Sequence, residues 1–262
     1  MSRYLSVLSL SLIVACAGDK TDDTGVDVED TAPPADPIDM KATFYDGMTN
    51  GFLVGADICV EEPVFEDGGC HTTDATGSTT LTWENPETTD FTVTLSLEDY
   101  MDTIFCGRYD DDVAASWAPE IDATGSVAFD YWAFKKSDVT MFLASGGVTL
   151  ESGNGTMLIN LLDVSGFGIE NAVVTLMDDA GAAVGTVHYA NPMSTAIDTA
   201  ATASSASGVV VVANAPEGTY TVNVDVPGKV CVPWFSWRSD VADVVPAPVR
   251  ADTMTRLAIG CD

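Results

Sequence analysis

Strict alternation of apolar and polar residues, met twice along the chain in the same order, limits the available folds more than any other feature. In Thr92-Val-Thr-Leu-Ser-Leu, residues Val93, Leu95 and Leu97 share one face and Thr92, Thr94 and Ser96 the other. Tyr220, Val222, Val224 and Val226 alternate in the same way with Thr221, Asn223 and Asp225. A period of two marks half-buried strands, because successive side chains leave a strand on opposite sides. Gly208-Val-Val-Val-Val-Ala-Asn reads as a strand covered more fully. Asp67-Gly68-Gly69, Thr76-Gly77, Asp179-Ala-Gly181, Glu217-Gly218 and Pro227-Gly228 punctuate the chain with turns. With no βαβ rhythm, the expectation is all-β: two tandem antiparallel β-sandwiches. A single short helix is expected, with Ser137 as its cap and Asp138 facing the N-terminal dipole. Val139, Phe142 and Leu143 follow at helical spacing, and Gly146 and Gly147 stop it. The helix precedes Glu151-Ser-Gly-Asn-Gly155, the best linker candidate, so residues 40–150 and 151–262 are expected to form one sandwich each.

The two halves repeat an order of signals. The first runs Thr49-Asn-Gly-Phe-Leu-Val-Gly-Ala-Asp-Ile-Cys-Val, then Thr72-Thr-Asp-Ala-Thr-Gly-Ser-Thr-Thr-Leu, then Asp90-Phe-Thr-Val-Thr-Leu. The second runs Ser165-Gly-Phe-Gly-Ile-Glu-Asn-Ala-Val-Val-Thr-Leu, then Ser204-Ser-Ala-Ser-Gly-Val-Val-Val-Val, then Gly218-Thr-Tyr-Thr-Val-Asn-Val. This arrangement resembles the carboxypeptidase regulatory-like family, a transthyretin-like or prealbumin-like β-sandwich. Thr73-Asp-Ala-Thr-Gly-Ser-Thr-Thr-Leu81 is similar to the family's T-D-x-x-G-x-x-x-L hairpin, and Gly218-Thr-Tyr-Thr-Val to its G-x-Y-x-V strand. The resemblance spans residues 41–110 and 156–262. The second copy departs by an insertion, Tyr189 to Ala203, and residues 111–150 have no clear place in a minimal seven-strand unit. What the resemblance implies is a sandwich without a built-in active site, so fold alone names no function.

The N-terminus speaks to location. Arg3, an apolar run from Leu5 to Ala15 and the ending Ile13-Val14-Ala15-Cys16 form a secretory signal peptide, residues 1–15, too short for a transmembrane helix. The ending resembles the bacterial lipobox, which implies lipidation of Cys16 and cleavage before it. Residues 17–39 hold eight acidic residues and three prolines but no aromatic residue. They cannot bury enough apolar surface to offset ordering, so residues 16–39 are expected to be a lipidated, disordered acidic tether. Counting Cys16 as +1, Ala17 stands at +2 and Asp19 at +4. By resemblance to lipoprotein sorting rules, this favours the outer membrane.

The chain carries 40 Asp+Glu against 10 Lys+Arg, a formal charge of −30. Nucleic acid is excluded as a partner on that balance, since phosphate binding needs a basic face. An anionic membrane would not attract the body either, so the lipid must hold it there. An exported protein can keep disulfides. Beyond Cys16 there are five cysteines, and the odd count leaves at least one outside any intrachain pair. Cys231 with Cys261 is expected in the second half, where no other cysteine lies. Cys59 with Cys70 is favoured in the first, since both flank one hairpin, leaving Cys106 over.

Residues that could carry chemistry are sparse. His71 and His188 lie in different repeats, and neither has an HExxH or HxxE partner, so structural or surface roles are expected and no metal or cofactor. Asp110-Asp111-Asp112 lacks EF-hand spacing and reads as a solvated loop, with adventitious calcium as the alternative. No serine sits in G-x-S-x-G, and among 40 acids nothing selects a glycosidase pair. Aromatic residues cluster at Phe129–Phe134 and Pro233–Trp237. Trp234 and Trp237 are an odd number of positions apart, so in an ideal strand one faces the core and the other solvent, as a possible ligand platform. The sequence reading is a lipid-anchored cell-envelope protein with a structural, display or adhesive role and no catalysis. The alternatives are a carbohydrate- or peptide-binding accessory module and a hydrolase with an unrecognised site.

Overall fold

The computed structural model describes residues 38–61, 70–83, 89–109, 127–237 and 242–262. Cys16, residues 16–37 of the acidic tether and Asp110–Asp112 lie outside them; the last two tether residues, Ile38 and Asp39, are instead strand, paired with Trp83 and Thr82.

The first sandwich is built from seven strands: β1 (Ile38–Asp46), β2 (Asp57–Glu61), β3 (Cys70–Thr72), β4 (Ser78–Trp83), β5 (Thr89–Ser96), β6 (Thr103–Tyr109) and β7 (Val127–Ala133). One sheet has the order β4-β1-β7, and β6, β5, β2 and β3 pair in succession to form the facing layer. Between the layers, Phe44, Ile58, Leu95 and Phe105 are buried with Phe129 and Tyr131. The Tyr131 ring lies 5.2 Å from Phe44 and 4.7 Å from Phe105. The alternation read from sequence is seen directly: Val93 and Leu95 are buried while Thr92 and Thr94 are only half-buried.

The second sandwich uses β8 (Asn154–Leu162), β9 (Val173–Met177), β10 (Thr186–Tyr189), β11 (Val209–Pro216), β12 (Gly218–Asp225), β13 (Cys231–Phe235), β14 (Val244–Val249) and β15 (Met254–Cys261). Strands β14-β12-β9 face β11, β8 and β15 across a core of Met157, Ile159, Leu161, Leu176, Val222 and Leu257. In β11, Val210 and Val212 enter this core, while Val211 and Ala213 are buried on the other face beneath the helix. This double cover accounts for its unbroken apolar run.

The repeat holds down to single hydrogen bonds. The Thr73 hydroxyl donates to the Leu53 carbonyl (2.5 Å) and accepts from the Ala56 N–H (2.9 Å). In the second copy, the Ser204 hydroxyl donates to Ile169 (2.6 Å) and accepts from Ala172 (2.9 Å). Gly77 and Gly208 likewise occupy matching turns, their carbonyls accepting from Phe44 and Leu161. Both have positive φ, and a Cβ would fall 2.8 Å and 2.1 Å from the carbonyl oxygens of those same partners, so neither turn accepts a side chain.

The all-β class and the short helix are as expected, with three refinements. Each sandwich contains a parallel pair, β1 with β7 and β8 with β15, where only antiparallel pairs were expected. The segment 111–150, left without a place by the sequence pattern, supplies β7 and the helix α1 (Lys136–Ala144). Ser137 does not cap α1: the N-cap is Lys135, and no side chain caps it. The start is fixed instead by tertiary pairing, with Met101 N–H donating to Phe134 and Lys136 N–H to Asp99. At the other end Gly147 adopts a positive φ, as a helix stop requires.

A short parallel pairing of β6 with β15 fuses the layers of both sandwiches into one nine-stranded sheet. Helix α1 lies over the outer face of its second half. Val139 and Leu143 pack there with Ile197, Val211 and Met254, so the insertion beginning at Tyr189 helps to seat the helix. Ser145 extends this seat by accepting a hydrogen bond from the Ile197 N–H at 2.9 Å.

Candidate functional site

Alternation along β15 sends Leu257, Ile259 and Cys261 into the second core. The opposite face carries Met254, Arg256 and Ala258 towards α1 and the first sandwich. Arg256 therefore sits at the seam. One guanidinium N–H donates to the carbonyl of Trp132, on the open edge of β7. The guanidinium also lies 5.4 Å from the Phe134 ring centre, in cation–π range. Its Nε is sealed from solvent and has no hydrogen-bond partner. No carboxylate pairs with it among the described residues, and burial lowers its pKa to about 10.

Two cavities meet at this side chain. The larger, about 410 Å³, has Leu158, Val209, Val211 and Met254 in its floor. Val139, Phe142 and Leu143 of α1 form one wall, and Trp132 and Phe134 the other. The smaller, about 220 Å³, runs along β7 past Asp130 and Tyr131 to Ala258. Arg256 lines both. Beside the larger cavity, the outer face of β1 and β7 carries an aromatic strip. Tyr45 stacks on Trp132 at 5.5 Å and contacts Phe52 at 5.6 Å. Phe52 is 53% exposed. The Trp132 indole N–H donates to Asn50 at 3.2 Å, which fixes the ring.

Trp234 lies near the end of β13 and Trp237 beyond it. Strand β13 ends at Phe235 after a register shift, so the ideal alternation does not extend to Trp237. Both residues are half-buried. Trp237 packs on the second core and its indole N–H donates to Thr92 of the first sandwich at 3.3 Å.

His71 and His188 are on β3 and β10, at opposite ends of the nine-stranded sheet, and are not brought together. His188 Nε2 is buried without a hydrogen-bond partner, and burial lowers its pKa. Among the described residues no group of three or more His, Cys, Asp and Glu could hold a metal. Disulfides join Cys59 to Cys70 and Cys231 to Cys261. Cys106 is buried and belongs to neither. Trp132 belongs to the Phe129–Phe134 cluster seen in sequence, but Arg256, Tyr45 and Phe52 were missed. The available signal was a lone base in the alternating apolar strand Met254–Cys261 of a chain with only 10 Lys+Arg.

No family model matches the chain, and no curated protein matches it in sequence. Three solved structures show a remote, partial likeness. The Bacillus anthracis TIE protein aligns at 13% identity over 87% of this chain, with a TM-score of 0.28. This chain spans about a third of that protein, 34%. The shaft pilin SpaA of Lactobacillus rhamnosus GG aligns at 11% identity over 86% of this chain and 98% of its own, with a TM-score of 0.27. GBS52, the minor pilin of Streptococcus agalactiae, gives 9% identity over 86% and 95%, with a TM-score of 0.29. Values this low do not establish a common fold. Among the described residues no helix is long and apolar enough to cross a membrane.

Proposed function

We propose that this chain is an exported, lipid-anchored envelope protein whose two-sandwich body serves a structural, display or adhesive role without catalysis. The supporting observation is mechanical. Two disulfide-bonded sandwiches share one sheet, and Arg256, Trp237 and the Arg250–Glu61 ion pair bridge them. Such a body suits presentation at the end of a tether. In this reading Cys16 carries the lipid, residues 16–37 form the spacer, and the outer membrane is the destination. Fractionation of cells carrying Cys16→Ser tests the anchor: the variant moves to the soluble envelope fraction. Membrane retention of the variant rejects it.

A second reading, a carbohydrate- or peptide-binding accessory module, is favoured by the Tyr45–Phe52–Trp132 strip, because exposed aromatic rings can stack on sugar rings or apolar side chains. A glycan and peptide array with Phe52→Ala alongside separates the two. Retention lost in the variant supports binding; an array without hits leaves display.

A further inference from the structure

Arg256 presents an unmatched charge. The chain has 40 acidic side chains, yet none among the described residues pairs with this half-buried base, whose Nε is sealed from solvent. Arg250, by contrast, has its carboxylate in Glu61, at a site where both side chains remain 39% exposed. A cation partly withdrawn from water without a counter-charge is costly, and such withdrawal normally comes with pairing. The Trp132 carbonyl and the Phe134 ring meet part of its demand, but Nε has nothing. The cavity it lines is otherwise mainly apolar, and its volume of about 410 Å³ falls within the ~300–1,000 Å³ usual for small-molecule sites.

We propose that this cavity is a binding site for an amphiphilic carboxylate, a single anionic head against Arg256 with an aliphatic body between α1 and the sheet. The apolar floor of Leu158, Val209, Val211 and Met254 selects the body. Arg256 selects the head, because a charge-assisted hydrogen bond to a carboxylate is stronger than a neutral one. Asp138 lines the same cavity and Asp130 the adjoining one, so a second negative charge on the ligand is disfavoured. The high net negative charge works against anions in general, which restricts the site to ligands whose apolar body contributes binding of its own. The inference goes beyond the display reading and does not depend on the anchor.

The test uses the full chain with Cys16→Ser, so that no attached lipid competes. Calorimetric titration compares decanoate, decanol and acetate. Decanoate binds saturably, with decanol and acetate each about tenfold or more weaker, since the first lacks the charge and the second the body. Arg256→Gln, which keeps a hydrogen-bond donor, weakens decanoate about tenfold and leaves decanol unchanged. Val209→Trp fills the cavity while sparing Arg256, and abolishes binding of decanoate in a chain whose folding is checked by circular dichroism. Equal binding of decanoate and decanol, unchanged decanoate affinity in Arg256→Gln, or no saturable decanoate binding to the parent chain overturns the proposal.

Discussion

A single hydroxyl does the same work twice in this molecule. Thr73 and Ser204 are buried, and each ties a donor and an acceptor of the preceding turn to its own hairpin. Removing either hydroxyl leaves a buried N–H and a carbonyl without that partner. Thr73→Val and Ser204→Ala should each cost about 1–3 kcal/mol, read from urea midpoints at unchanged slope. A loss below ~0.5 kcal/mol at either site, the level of an ordinary surface substitution, would show that the shared geometry carries no shared energy. Asp46 is the corresponding acidic case. It is only 5% exposed. Its carboxylate accepts from Tyr100 O–H at 2.5 Å and from the N–H groups of Met48 and Thr49 at 2.9 and 2.8 Å. Burial alone would raise its pKa, but these hydrogen bonds outweigh burial and hold it below the usual value. The unfolded chain then binds the proton more readily. The contribution of Asp46 to stability is complete above the ordinary Asp value of about 3.9 and fades as pH falls through the lower folded value. Asp46→Asn should flatten the acid limb of a stability–pH profile below about pH 4; a limb of unchanged steepness would assign acid sensitivity elsewhere.

At the scale of elements, each disulfide pins a strand with a single partner to that partner: β3, at one end of the nine-stranded sheet, to β2, and β13, which branches from it, to β15. The sequence separations are 30 for Cys231–Cys261 and 11 for Cys59–Cys70. Chain-entropy reasoning gives ~3.6 and ~2.8 kcal/mol respectively, so the paired Cys→Ala change in the second sandwich should be the more damaging, measured by denaturation without reductant. The reverse order would mean that strand β3 depends on its bridge more than loop entropy allows. The pairs were legible because each half offered few partners, and β5 and β12 were legible because alternation is a local signal. What failed was whatever a distant segment decides. Ser137 has the chemistry of a cap, yet contacts from Asp99 and Met101 start the helix earlier. Trp234 and Trp237 have the spacing of opposite faces, yet a register shift and the end of β13 intervene. Arg256 looked like one base among few, because its importance comes from β7 and α1 closing over it.

The whole molecule is distinguished by its seam, which sequence periodicity could not reveal. Two cores form, one on each side of residue 150, yet β6 and β15 pair directly and Met254 N–H donates to Asp102 at 2.8 Å. A third cluster is shared: Met101, Val139 and Leu143 come from before the linker candidate, and Ile197, Val211, Ala213 and Met254 from after it. The exposed Arg250–Glu61 pair adds little to this coupling, on the order of 0–1 kcal/mol. Coupling therefore rests on apolar burial and the shared sheet. The intact chain should unfold in one transition, with near-ultraviolet and far-ultraviolet circular dichroism coincident. Leu143, 1% exposed in the shared cluster, is the place to weaken it. Leu143→Ala should cost about 2–5 kcal/mol and separate the two sandwiches into distinguishable transitions, because it loosens the seam while sparing both cores. Val222→Ala, inside the second core, is the control: it should lower stability while leaving the two probes in step. If the parent chain already unfolds in two steps, or Leu143→Ala lowers the midpoint with the probes still coincident, the shared cluster is not what couples the halves.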